Sequence, residues 1–72
     1  QDPKAQRQLY EKYSSRMLGL CVRYAEDEMI AEDIMVEGFM RVFNKIDQFN
    51  SDGSFEGWIR RIMVNEALGY LR

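Results

Sequence analysis

The sequence predicts an all-α domain built as a three-helix bundle, and three observations predict it. Apolar residues recur at helical spacing in three separate stretches, and each stretch opens on a residue that can cap a helix. No stretch alternates apolar and polar residues over strand length. The chain has 72 residues, 46% of them hydrophobic and 31% charged. That composition suits one small, ordered domain with a modest core.

The first helix starts at Asp2-Pro3, a capping side chain followed by proline at the first helical position. Leu9, Tyr13, Met17, Leu20, Cys21 and Tyr24 then recur three and four residues apart, with no breaker stronger than Gly19 before about residue 25. Asp27 can cap a second helix, with Glu28 favourable in its first turn. Met35, Phe39, Val42, Phe43 and Ile46 form its apolar face, and Phe49 closes its pattern. The stretch "NSDGS" at 50–54 is loop chemistry. Ser54 can cap a third helix whose core face is Phe55, Trp58, Ile59, Ile62, Met63 and Tyr70. Glu66 falls amid that face, so it needs a basic partner, expected on the first helix.

Catalysis finds little support. The chain has no His, no phosphate-loop glycine pattern and no metal-ligand spacing, so no catalytic, cofactor or metal residue is assigned. Its single Cys21 sits on an apolar helical face and reads as core. One cysteine makes no internal disulfide, which points to a reducing compartment. The five methionines fall mostly on apolar faces and need only fill the core. No signal peptide or membrane-length apolar run is present. The chain stops at Arg72 inside a helical pattern, so a fragment of a longer protein is expected.

Charge is unevenly spread. The formal net charge is −2, yet Glu26, Asp27, Glu28, Glu32, Asp33 and Glu37 form an acidic block with no base among them. Lys4, Arg7, Lys12, Arg16 and Arg23 make the first helix basic. An acidic total argues against indiscriminate nucleic-acid binding but leaves room for a local basic stripe.

Two helical stripes have no place in the core. On the second helix Asp33, Glu37 and Asn44 share an outer face with Met40, and Ile30 and Ile34 flank it. Like charges one turn apart cost an isolated helix about 0.2–0.5 kcal/mol, and neighbouring apolar side chains gain nothing from water. The pattern suits a partner that presents Arg or Lys in an apolar setting. A solvated face with Glu37 paired to Arg41 is the plainer reading. On the third helix Arg61, Asn65, Leu68 and Arg72 line up at i, i+4, i+7 and i+11, with Arg60 further round. Arginines suit phosphates and asparagine suits a base edge; a solvated stripe is again the plainer reading. Phe49, the polar loop and a helix N-terminus can together form a small pocket for an unstacked base.

The segments "AEDIMVEGFMRVFNKIDQF" and "FEGWIRRIMVNEALGYLR" resemble region 2 of the extracytoplasmic-function (ECF) sigma factors of bacterial RNA polymerase. The family pattern runs roughly AEDLVQETFLRVW, then D-x-F, a short polar loop, F-x-x-W-L-x-x-I-A-x-N and a terminal L-R. Ala31-Glu32-Asp33, Glu37, Phe39, Arg41, Asp47, Phe49, Phe55, Trp58, Ile62, Asn65 and Leu71-Arg72 carry the match. The stretch "LYEKYSSRMLGLCVRY" at 9–24 is similar to the family's first helix, so the resemblance covers about residues 5–72.

The resemblance implies a bacterial, cytoplasmic, non-catalytic DNA-binding domain, residues 1–72, that lacks the C-terminal region reading the −35 element. The second helix would dock on the clamp helices of the polymerase β′ subunit, with Asp33 and Glu37 at the acidic positions and Ile34, Val36 and Met40 beside them. The loop and third helix would recognise and melt the promoter −10 element on the non-template strand. Phe49, Asn50, Ser51, Asp52, Gly53, Ser54 and Asn65 match the base pocket. Arg61 and Arg72 would face phosphates, a placement resting on their stripe, and Trp58 would be core rather than a strand-melting wedge. An anti-sigma factor is an expected partner. Three positions depart: Val36 replaces a common Gln, Gly38 a usual Thr and Gly69 a common acid. Other classes predict different behaviour. A plain helical interaction module with an acidic docking helix would not need Asn65 or the loop. A helix-turn-helix reader would bind duplex tightly alone, and its recognition helix would carry more than two arginines in its main stripe.

Overall fold

A computed structural model describes residues 2–50 and 52–71. The helices are α1 (Pro3–Ala25), α2 (Glu28–Lys45) and α3 (Phe55–Leu71), and a single 3₁₀ turn (Ile46–Gln48) follows α2. Among the described residues there is no strand. The fold class and the element order match the expectation from sequence.

Local chemistry places the helix ends. Asp2 accepts from the Lys4 amide at 3.0 Å, beside Pro3 in the first turn of α1. Asp27 accepts from the Ile30 amide at 3.1 Å and starts α2. Ser54 Oγ accepts from the Gly57 amide at 3.0 Å and starts α3. The link between α1 and α2 is tight. Glu26 sits in the left-handed region, φ 61°, and its N–H donates to the Val22 carbonyl at 2.8 Å. This is a helix C-terminus of the kind glycine usually ends.

Each helix packs against both of the others. α1 contributes Tyr13, Met17 and Cys21 to the core, and α3 contributes Ile59, Met63 and Ala67. α2 contributes the widest arc, with Ala31, Ile34, Met35, Gly38, Phe39 and Val42 all buried. Ile34 corrects the sequence reading. It was expected beside the outer acidic stripe, but only 3% of it is exposed. A helix packed on two sides needs an apolar arc wider than one neighbour can cover, and Ile34 is the edge of that arc. Tyr70 is a second correction. It was expected in the core and is 55% exposed, while the smaller Ala67 takes the buried position. Tyr70 comes out instead at the rim of the α2–α3 seam, beside Asp33, Ile34 and Glu37.

The α2–α3 crossing rests on a volume exchange. A Cβ added at Gly38 would run into the Met63 thioether, the far end of a fully buried side chain that would have to shift. In the family pattern these positions carry Thr and Ala. Here the bulk at this contact comes from Met63 on α3 rather than from position 38 on α2. Restoring one member alone should therefore cost stability. Met63→Ala leaves a cavity worth about 2–4 kcal/mol, and Gly38→Thr overpacks by about 1–3 kcal/mol. In urea unfolding the double variant Gly38→Thr/Met63→Ala should recover about 2 kcal/mol of the summed losses. Strictly additive values would show that the two residues do not share this space. Separately, Glu26→Gly should raise stability by about 1 kcal/mol, because glycine takes the left-handed conformation without a Cβ clash. A thermal midpoint at or below that of the wild type would contradict the strain at Glu26.

Candidate functional site

Two surfaces outside the core gather the residues singled out by the sequence. The first is the outer face of α2. Met29, Asp33, Val36, Glu37 and Met40 all lie there exposed; Met29 is 77% exposed, Val36 46% and Met40 54%. Residues 29, 33, 36 and 40 fall on one helical line, so an apolar stripe runs through the acids. Met29 was missed by the sequence reading, although its spacing of seven from Val36 could have shown it.

Arg41 lines a hollow with Asp33 and Glu37 but forms its ion pair elsewhere. It reaches across the α2–α3 seam and pairs with Glu66, whose side chain is four-fifths buried. This corrects two readings: the partner of Glu66 comes from α2 rather than α1, and Arg41 does not pair with Glu37 one turn away. Among the described residues neither Asp33 nor Glu37 forms an ion pair. The basic residue of α1 that does pair with α3 is Arg16, 2.6 Å from Glu56, an exposed pair of small energetic weight.

The second surface lies at the start of α3. Phe49, Asn50, Asp52, Gly53, Ser54 and Arg61 line one cleft of about 440 Å³ together with Gln48, Gly57 and Trp58. Its aromatic wall is tied to the core by ring contacts. Phe49 lies 5.1 Å from Phe55 and 5.3 Å from Trp58 between ring centroids, and Tyr13 of the core meets Phe55 edge-on at 6.1 Å. Trp58 was read as core. It is half-buried, packing on Phe55 while lining the cleft, so it does both.

Two of the loop side chains serve the loop itself. Asn50 Oδ1 accepts from the Asp52 amide at 3.2 Å, and Ser54 caps α3. Asn65 does not line this cleft. It lies in a neighbouring groove of about 490 Å³ with Leu20, Arg23, Gly57, Arg60, Arg61 and Val64. Gly57 and Arg61 belong to both hollows and join them. Ser51 and Arg72, also expected here, lie outside the described residues.

Cys21 is buried in the core, and desolvation pushes its thiol above the usual value, so it is a poor nucleophile at neutral pH. Among the described residues no group of three or more His, Cys, Asp and Glu could hold a metal ion. Among the described residues no helix is long and apolar enough to cross a membrane.

The domain thus presents two separate surfaces, one acidic, apolar-striped face and one aromatic, arginine-edged cleft. The chain belongs to the sigma-70 region 2 family, which matches residues 9–72, and within it to the ECF type of sigma factor. It is 34% identical over 70 residues to the RNA polymerase sigma-H factor of Pseudomonas aeruginosa, covering 97% of this chain and 36% of that protein. It is equally similar, with the same coverage, to the ECF RNA polymerase sigma-E factor of Haemophilus influenzae. The ECF RNA polymerase sigma-E factor of Escherichia coli K12 is 33% identical over the same span. The chain thus spans about a third of the length of the curated relatives it matches. No solved structure matches significantly. The family acts in transcription initiation without catalysis.

The capping role of Ser54 can be separated from any role in binding. Ser54→Ala should lower stability by about 1 kcal/mol in thermal or urea unfolding, and Ser54→Asp should restore most of it. An alanine variant as stable as the wild type would remove the cap as the reason for serine here.

Proposed function

We propose that this domain docks on core RNA polymerase through the outer face of α2 and captures an unstacked promoter −10 base in the cleft before α3. One observation carries the docking half. Glu66 draws Arg41 away from Glu37, which leaves two acids without an ion pair on a face that also exposes Met29, Val36 and Met40. A solvated face has no use for that mixture, whereas a partner helix offering Arg or Lys between apolar residues would bury it. The names of the relatives, RNA polymerase sigma factors, support that partner. Val36 makes the contact more apolar than the usual Gln would. Ile34 contributes from beneath, by holding the face in place. The same surface is available to an anti-sigma factor.

The cleft supports the second half. Phe49 and Trp58 offer ring faces on which a base can stack, exposed loop groups offer edge hydrogen bonds, and Arg61 stands beside them for a phosphate. Asn65, one turn beyond Arg61, is placed to meet the next nucleotide rather than the same one. Opening the duplex would draw on polymerase contacts and on capture of the flipped base, a term of a few kcal/mol.

The deciding experiment is a pull-down of the β′ clamp-helix fragment by the 72-residue chain. The wild type should retain it, and Asp33→Ala/Glu37→Ala should lose about tenfold or more in affinity with unchanged helicity. Equal retention by the double variant would overturn the docking face, and no retention by the folded wild type would overturn the reading as a whole.

A further inference from the structure

A hollow of about 370 Å³ opens along the α2–α3 seam, at the edge of the α2 face that carries Asp33 and Glu37. The buried Ile34 lines it from α2, and Glu66, Gly69 and Tyr70 line it from α3. The carboxylates of Asp33, Glu37 and Glu66 stand around it against the single guanidinium of Arg41. Arg41 is paired with Glu66, and among the described residues neither Asp33 nor Glu37 forms an ion pair. Tyr70 stands at the rim with 55% of its surface exposed, so a large ring is left half uncovered beside two acids. A Cβ at Gly69 would meet nothing within 4 Å, so packing does not demand glycine there. Glycine is nonetheless a poor helix former inside α3. What it does is leave the hollow open, where a longer side chain would stand in it.

The lining says which group fits. Carboxylates, an aromatic ring and an apolar side chain around one hollow suit a planar cation on a long apolar stem. A guanidinium forks onto a carboxylate and lays its face on a ring, whereas an ammonium is a compact, strongly hydrated point charge. The stem of such a side chain would cover Ile34 on its way in. We infer that this hollow receives an arginine side chain of the protein partner that docks on α2, and that Tyr70 selects arginine over lysine there. The hollow shares Asp33 and Glu37 with the docking face, so one partner helix would cover both. The docking surface then crosses the seam onto α3 instead of ending at α2. This inference rests on the reading of the α2 face as the surface that meets the polymerase.

The test is fluorescence anisotropy of a labelled β′ clamp-helix fragment titrated with the 72-residue chain. Tyr70→Ala should weaken binding about fivefold, and Tyr70→Phe, which keeps the ring, should bind as the wild type does. Leu71→Ala, which removes a neighbour as exposed as Tyr70 but outside the hollow, should change nothing. Gly69→Leu should weaken binding by filling the hollow while its thermal midpoint stays at or above that of the wild type, so a folding defect cannot explain the loss. The arginines of the fragment are then replaced by lysine one at a time. One replacement should cost the wild type about fivefold and cost Tyr70→Ala nothing further, the coupling expected of two groups in contact. Unchanged affinity in both Tyr70→Ala and Gly69→Leu overturns the inference, as does the lack of any arginine whose replacement couples to Tyr70. Loss of binding in Asp33→Ala/Glu37→Ala with none in Tyr70→Ala removes the arginine hollow and leaves the docking face standing. No binding by the folded wild type removes the docking face and the hollow with it.

Discussion

The packing of α2 against α3 at Gly38 and Met63 is the constraint on which both surfaces depend. α2 is covered on two sides, and the thioether of Met63 occupies the space that a side chain at position 38 would need. That close approach sets the register between the two helices. With the register set, Glu66 lands at the edge of the core face, opposite Arg41. A carboxylate that far from water holds its cation strongly, because removing the partner would leave an unpaired charge. Arg41 is therefore committed to the seam. The exposed acids Asp33 and Glu37 stay without their nearest base, and Tyr70 is carried to the rim beside them. The character of the α2 face is thus decided by a contact on the opposite side of the helix.

A second constraint fixes the loop. A polar connection of this length would be mobile if only its own two side-chain bonds held it. Phe49 changes that by inserting its ring against Phe55 and Trp58, and Phe55 in turn meets Tyr13. The chain of rings runs from the core to the mouth of the cleft. Each pair adds about 0.5–1.5 kcal/mol beyond the area it buries. The cleft is accordingly preformed around a rigid wall, and a base entering it would meet ring faces already in position rather than ordering them at its own cost.

Much of this was legible from the residues. The caps Asp2, Asp27 and Ser54 announced the three helix starts, and the apolar periods gave the core of α1 and most of α2. The misreadings have one physical origin. A helical wheel assumes a single buried side, whereas α2 has two neighbours, so Ile34 was left outside an arc that is wider than one contact predicts. Tyr70 shows the converse, since the wheel carries no information on where along α3 the neighbouring helices stop covering it. The partner of Glu66 was beyond the sequence for the same reason: i+4 pairs are visible in a sequence, and pairs across a seam are not. The loop cleft was anticipated, but its separation from the groove of Asn65 depends on the three-dimensional course of α3 past Arg23. No single element carries that signal.

The distribution of charge gives the two proposed surfaces a common logic. The acidic block from Glu26 to Glu37 lies on α2 and on the turn that precedes it, while Arg23, Arg60 and Arg61 line a groove between α1 and α3 to which α2 contributes no residue. Under the proposed reading a nucleic-acid strand would be attracted to the groove and repelled by the α2 face, and a basic helix of a protein partner would experience the reverse. Placing the wrong partner on either surface costs like-charge contacts, so each surface rejects the other's ligand as well as accepting its own. The near-balanced total of −2 conceals this arrangement. A uniformly basic domain of the same size would bind DNA anywhere on its surface. An uneven spread of charge would instead favour the seam where the aromatic cleft also opens, and α3 joins that seam to Glu66 and thus to α2. The orientation of such a strand relative to a partner on α2 would then be set by the packing of one helix.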